Sequence, residues 1–279
     1  MSAFLPPLSP AQLDTYFRRI GHDAGADVSI GTLQSLHALH PQYIPFENLS
    51  PFSGAAVSLV PDEVFDKLVL QGRGGYCFEH NQLFMRVLQS LGFEVTGLSA
   101  RVVWMLPPEV TLPRTHMAML VTIDGERWLA DVGFGGVTMT GALALDNTDV
   151  QGTPHEDFRL RADDDGFIVA ARIGKQWQDL YRITLEPFLP VDYETANWYV
   201  STHPESRFVN GLICCRPDRN GRHTLNNNRY SRYLPGQVPQ AAELHSADEL
   251  LALLRDIFLI DIDALPGLEH QLERIIPDS

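Results

Sequence analysis

Apolar positions recur at helical spacing over the first ninety residues and at a spacing of two over the next hundred. Ser9-Pro10-Ala11-Gln12 reads as a capping box with proline at the first helical position. Leu13, Tyr16, Phe17 and Ile20 follow as one stripe, which Gly21 ends. A second helix is expected from Ser29 to about Leu39, stopped by Pro41. A third starts at Pro61-Asp62-Glu63, turns Val64, Phe65 and Leu68 inward and stops at Gly72. A fourth, amphipathic, follows Cys77, with Phe84, Val87, Leu88 and Leu91 on its apolar face and Gly92 as its stop. No such helix can bury its stripe alone, so residues 1–92 are expected to form a helical bundle.

From 93 to 194 the alternation predicts strands at Val95–Val103, His116–Ile123, Arg127–Val132, Phe158–Arg161, Phe167–Ile173 and Trp177–Ile183. Asp124-Gly125 and Asp163-Asp164-Asp165-Gly166 supply turns, and consecutive antiparallel strands at this spacing favour a barrel or sandwich. In residues 195–279, short strands (Phe208–Arg216, Gly221–Leu225) precede a helix. That helix carries a capping box at Ser246-Ala247-Asp248-Glu249 and a stripe of Leu250, Leu251, Leu254 and Phe258. Asn226-Asn227-Asn228 reads as a loop.

Composition narrows the classes. A chain of 279 residues exceeds the usual single-core limit of roughly 250, which favours several cooperating units. Lys and Arg number 21 against 35 Asp and Glu, a formal charge of −14, which argues against nucleic acid or an anionic membrane as partner. The three cysteines, Cys77, Cys214 and Cys215, fit a reducing compartment rather than a disulfide scaffold. The first residues lack the pattern of a secretory signal and no window resembles a membrane span, so a cytoplasmic protein is expected. Oligomeric state is not legible.

The segment Arg73-Gly74-Gly75-Tyr76-Cys77-Phe78-Glu79-His80-Asn81 carries the strongest chemical signal. Two glycines allow a tight turn into a helix start, where free N–H groups and the helix dipole stabilise a thiolate. The amide of Cys77 itself can serve as an oxyanion donor. A thiolate of this kind needs a base. With Asp124-Gly125 as the hairpin tip, Ile123 pairs with Glu126, so His116 falls opposite Gly133 and Asp131 lies two residues along on the same face. A shift of one residue would destroy that relation. Cys77, His116 and Asp131 thus follow in the order nucleophile, base and orienting acid, an order shared with papain-like and transglutaminase-like enzymes. His80 is a rival base but rides on the helix of Cys77, which favours a structural role. Zinc is disfavoured, because Cys77-x2-His80 has no partner pair.

Four motifs then stand in order: Pro45-Phe46-Glu47-Asn48-Leu49, the Arg73–Asn81 segment, Thr115-His116-Met117, and Asp131-Val132-Gly133-Phe134-Gly135. Together with Asn220–Leu225 they make the chain resemble the arylamine N-acetyltransferase family along almost its whole length. The resemblance implies an α+β multidomain fold: an N-terminal helical bundle (1–92), a central antiparallel β-barrel (93–194) and a C-terminal α/β lid (195–279), around a cysteine-protease or transglutaminase-like core. It implies ping-pong transfer of acetyl from acetyl-CoA to arylamines and arylhydrazines through acetyl-Cys77, with O-acetylation of N-hydroxyarylamines a related activity and no metal. By the same resemblance Phe46 and Phe134 wall the acceptor pocket, and Trp104, Thr115, Gly135 and Phe208 meet the CoA. Some relatives carry a bulky or basic residue where this chain has Gly136, which implies a wider pocket. Glu47 and Arg73 suggest a supporting ion pair. The same triad would also serve a thiol hydrolase or an amide synthase, and a non-catalytic binding protein is a third class. From Arg207 to Arg232 six arginines face one acid, and Arg216, Arg219 and Arg222 are candidates to meet the CoA phosphates.

Overall fold

The computed structural model describes residues 5–277 apart from 108, 264 and 266. Helix α1 (Pro10–Ile20) is capped as its sequence demands: Ser9 and Gln12 bond each other's backbone reciprocally, and Gly21 closes the far end. Helix α2 (Ile30–Tyr43) starts at Ser29 but does not stop at Pro41, which lies inside its last turn. A proline so near the end forfeits one bond only, and the Ile44 N–H still closes on the His40 carbonyl at 2.9 Å. A two-residue strand β1 (Phe46–Glu47) and a short helix α3 (Leu49–Phe52) follow. The third expected helix is α4 (Pro61–Phe65), widening into a π-type turn at Asp66–Leu70.

Helix α5 (Cys77–Ser90) departs most from an amphipathic helix. Every residue from Cys77 to Leu88 is buried, including Glu79, His80, Asn81, Gln82 and Arg86. Such burial is tolerable because each polar side chain has a partner, as when Arg86 bonds the Pro6 and Pro61 carbonyls and Asp62.

An eight-stranded antiparallel sheet follows. Its strands are β2 (Glu94–Val102), β3 (His116–Ile123), β4 (Glu126–Ala130), β5 (Leu143–Ala144), β6 (Gln151–Gly152), β7 (Asp157–Asp163), β8 (Gly166–Ile173) and β9 (Gln176–Thr184). They are ordered β5-β4-β3-β2-β9-β8-β7-β6. The two ends are joined by a side chain: Ala144 donates to Gln151 Oε1 at 2.8 Å, and Gln151 Nε2 returns a bond to the Ala144 carbonyl at 3.0 Å. The sheet is therefore a nearly closed barrel. Ile123 pairs with Glu126, and Asp124 and Gly125 both have positive φ, the type I′ tip that sets the register.

Helix α6 (Tyr193–Thr202) spans the expected boundary at 194/195. The expected strand Phe208–Arg216 is split. Arg207–Asn210 forms one helical turn, α7, because the Ser206 hydroxyl caps the Phe208 N–H at 3.2 Å, and the strand begins only at Ile213. Strands β10 (Ile213–Pro217), β11 (Arg222–Asn226), β12 (Arg229–Tyr233) and β13 (Gln240–Glu243) form a second sheet. Asn227-Asn228 is its hairpin tip rather than a plain loop. The first strand of this sheet is β1, whose Phe46 and Glu47 pair with Cys215 and Cys214. The N-terminal segment is thus built into the C-terminal sheet. Helices α8 (Ala247–Asp256) and α9 (Leu268–Glu273) cover it through Leu250, Leu254, Leu268 and Leu272.

Candidate active site

Cys77 occupies the first turn of α5, reached through Arg73-Gly74-Gly75-Tyr76. Neither glycine has positive φ, so their role is close approach rather than a turn. A Cβ on Gly74 would collide with the Pro45 carbonyl, and one on Gly75 would come within 2.6 Å of Glu79 Oε2. The clearance lets the segment lie beside β1, where the Glu47 N–H donates to the Gly75 carbonyl at 2.8 Å. The expected pair forms as well: Arg73 meets Glu47 at 2.7 Å, both buried. Burial raises the Glu47 pKa, but Arg73, Lys67 and the Leu49 N–H outweigh it and hold the carboxyl below its usual range.

His116 opens β3, and Asp131 stands one residue beyond β4. His116 Nε2 donates to Asp131 Oδ2 at 2.6 Å. The other Asp131 oxygen accepts from Asn81 Nδ2 and the Gly133 N–H, each at 2.9 Å. Both catalytic candidates are sealed from solvent, at 3% and 0% exposure. Burial lowers the His116 pKa, but Asp131 and then the neighbouring Cys77 reverse this and push it up to about 10. The Asp131 carboxyl is raised by burial and lowered more strongly by His116, Asn81 and Gly133, so it stays an anion. The Cys77 sulfur lies 3.6 Å from the Thr115 carbonyl oxygen.

The remaining candidate residues gather around this centre. Phe134 sets its ring edge-on to His116, with centroids 5.3 Å apart, and packs against Trp104 at 5.7 Å. Phe46 faces Phe208 at 6.1 Å and lies 3.5 Å from where a Gly135 Cβ would be. A Cβ on Gly136 would touch the Trp104 ring at 3.5 Å and the Cys215 sulfur at 3.9 Å. The space beside Gly136 is therefore bounded by Trp104 and Cys215.

Three neighbours of the site escaped sequence reasoning. Asn81 lies four residues after Cys77, one helical turn along the same face, so its position was legible. Tyr181 on β9 sets its ring, tilted, 5.1 Å from that of His116, a contact across strands that no local pattern signals. His37 Nε2 accepts the Asp131 N–H at 3.1 Å, and burial lowers its pKa to about 4, so the ring is neutral. His80 is structural: Nε2–H donates to the Pro45 carbonyl at 3.0 Å, and Nδ1 accepts from His40 at 2.9 Å.

The arginine run needs correction. Arg216 is spent on the carbonyls of Gln42 (2.6 Å) and Ile257 (2.8 Å). Arg222 is buried against Glu156 at 2.7 Å and against the Thr138 carbonyl. Both guanidinium groups are held by the protein's own acceptors, whereas Arg207 and Arg219 are exposed, and the Arg207 charge reaches Cys215. Among the described residues no group of three or more His, Cys, Asp or Glu could hold a metal, and no helix is long and apolar enough to cross a membrane.

A profile of the N-acetyltransferase family matches residues 29–265. The arylamine N-acetyltransferase of Mycolicibacterium smegmatis is 41% identical over 93% of this chain and 95% of its own. A protein of Salmonella typhimurium named arylamine N-acetyltransferase / N-hydroxyarylamine O-acetyltransferase is 35% identical over 90% and 89%. The structure of Mycobacterium marinum arylamine N-acetyltransferase in complex with CoA superposes with a TM-score of 0.92 at 35% identity, covering 95% of this chain and 100% of that one. With fold, motifs and length all matched, this chain belongs to the arylamine N-acetyltransferase family.

Proposed function

We propose that the protein acetylates the nitrogen of aryl amines and aryl hydrazines from acetyl-CoA by a ping-pong route through acetyl-Cys77. The observation that carries this is the triad geometry: Cys77 at the start of α5 beside His116, which the buried Asp131 holds at 2.6 Å. An imidazole whose pKa stands near 10 is a cation at neutral pH, the state that pairs with a cysteine thiolate. In the first half-reaction the Cys77 sulfur attacks the thioester carbon. The Cys77 amide N–H receives the oxyanion, the bond from carbon to the CoA sulfur breaks, and CoA leaves with the proton of His116. In the second, the amine nitrogen attacks acetyl-Cys77, the sulfur departs as thiolate, and neutral His116 takes the proton from nitrogen. Atoms and charge return to the starting state.

Phe46 and Phe134 form the acceptor walls in this scheme, and Trp104, Thr115, Gly135 and Phe208 line the approach of the pantetheine. Arg207 offers charge to the phosphates. Residues 1–92 carry the nucleophile, 93–194 the other two triad members, and 195–279 form the lid. The same acetyl-Cys77 would pass its acetyl group to the oxygen of an N-hydroxyarylamine, the second activity in the Salmonella relative's name. Three unbridged cysteines suit a reducing cytoplasm.

Initial rates with aryl amines and hydrazines against acetyl-, propionyl- and malonyl-CoA test the scheme. Parallel double-reciprocal lines are expected. Intersecting lines, or CoA release at full rate without any amine, would overturn the ping-pong transfer.

A further inference from the structure

We infer that Asn81 is a positioning residue of the triad, one amide that fixes His116 and Asp131 relative to Cys77; the inference rests on the transfer reaction proposed above. Asn81 Nδ2 donates to the Met117 carbonyl, next in chain to His116, at 2.6 Å, and to Asp131 Oδ1 at 2.9 Å. Its Oδ1 accepts the Val132 N–H at 3.0 Å. Both donor hydrogens are therefore used and the side chain is wholly buried. The orientation of the amide follows from polarity: a flipped amide would set oxygen against the Met117 carbonyl and N–H against the Val132 N–H.

Chemically, a strand end, the residue after a second strand and the nucleophile helix are pinned at one point. With Asn81 Nδ2 and the Gly133 N–H filling one Asp131 oxygen, the other is left for His116. The helix, rather than the β3–β4 ladder, sets the distance between Cys77 and the His116–Asp131 pair. The ladder has already ended at Met119–Ala130.

The test is the single-turnover rate of acetyl-Cys77 formation, followed by intact mass, in two near-isosteric variants whose folding is checked by thermal melting. Asn81→Leu removes both donors and is expected to slow acetylation about a hundredfold, since misplacement of catalytic groups by about 1 Å costs that much. Asn81→Asp keeps the acceptor for Val132 but sets a second carboxylate against Asp131. When protonated, that new acid can donate to Asp131 as the amide does, so its rate relative to wild type should rise as pH falls. The Asn81→Leu ratio should stay flat, and a role confined to folding would move neither ratio with pH. Rates within threefold of wild type in both folded variants, or identical pH profiles for the two, would overturn the positioning role. Failure of the wild type itself to acetylate would instead sink the reaction on which the inference rests. Should Asn81→Leu fail to fold, the pH-dependent ratio of Asn81→Asp decides alone, and a flat ratio overturns the inference.

Discussion

His116 and Asp131 meet at 2.6 Å although the hydrogen-bonded ladder between their strands stops three pairs short of the His116–Gly133 level. The hairpin tip aims the two residues at each other, and the contacts around them complete the approach. The Asp131 carboxylate sits at 0% exposure with three donors on its two oxygens, which is what keeps a buried charge tolerable.

Asp131→Asn keeps the shape of that residue but removes the anion that holds His116 charged. Acetyl transfer should fall by about a thousandfold or more in a variant that still folds, as expected for loss of an orienting carboxylate. Steady-state rates on the folded variant check this. Activity close to wild type would mean that His116 does not depend on its partner.

Gly133→Ala tests the packing between the Asp131 segment and Cys77. A Cβ there would stand 2.9 Å from both the Cys77 Cα and Asn81 Nδ2, so backbone must give way. A stability loss of about 1–3 kcal/mol is expected from such overpacking, together with a drop in acetylation rate. Chemical denaturation and rate measurement on one sample separate the two effects. An alanine accepted without either cost would contradict the close contact.

Much of the fold was legible for local reasons. Ser9 with Gln12, Ser29, Ser246 and the Asp124-Gly125 tip act within a few residues of themselves, and each element they delimit starts within one residue of the expected place. The misses are non-local. Phe46-Glu47 is a strand only because Cys214 and Cys215 lie beside it, more than 160 positions later. The burial of α5 on all sides comes from layers that its own periodicity does not describe, and its polar residues looked like a solvent face. Arg216 and Arg222 likewise read as free cations until their carbonyl and carboxylate partners were in place. Within the site, Cys77, His116 and Asp131 could be ordered from motif and register. His37 and Tyr181 could not, since His37 reaches Asp131 from helix α2 and Tyr181 reaches His116 from β9, two strands away in the same sheet.

Buried histidines set the acid side of the stability profile. Burial holds His37 and His80 down to about 4, and His40 well below its ordinary 6.5. The unfolded chain binds protons at these rings below about pH 6.5 and the folded chain does not. Stability present above 6.5 is therefore lost as pH falls toward 4, by about 3 kcal/mol for each ring held near 4. His116 runs the other way. Its contribution is complete below 6.5 and disappears as pH rises through about 10. Thermal midpoints across this range should peak near neutrality. A midpoint that stays level down to about pH 5 would contradict the neutral buried rings.

Arg207→Glu should raise the KM for acetyl-CoA by about three- to tenfold, an effect that salt diminishes, and leave stability unchanged, because the side chain is exposed. Arg222→Ala should do the reverse, costing about 3 kcal/mol of stability by leaving Glu156 without its buried partner. A matched kinetic and denaturation series distinguishes them. An unchanged KM in Arg207→Glu would remove that residue from the phosphate site.

In the proposed reaction Cys77 carries the acetyl group between donor and acceptor. Intact-protein mass spectrometry after mixing the enzyme with acetyl-CoA, in the absence of any amine, tests it directly. One added acetyl group should appear, map to Cys77, be absent in Cys77→Ala, and vanish when an aryl amine is added as the acetylated amine forms. Full turnover with no acetylated protein, or an adduct that survives loss of Cys77, would contradict it.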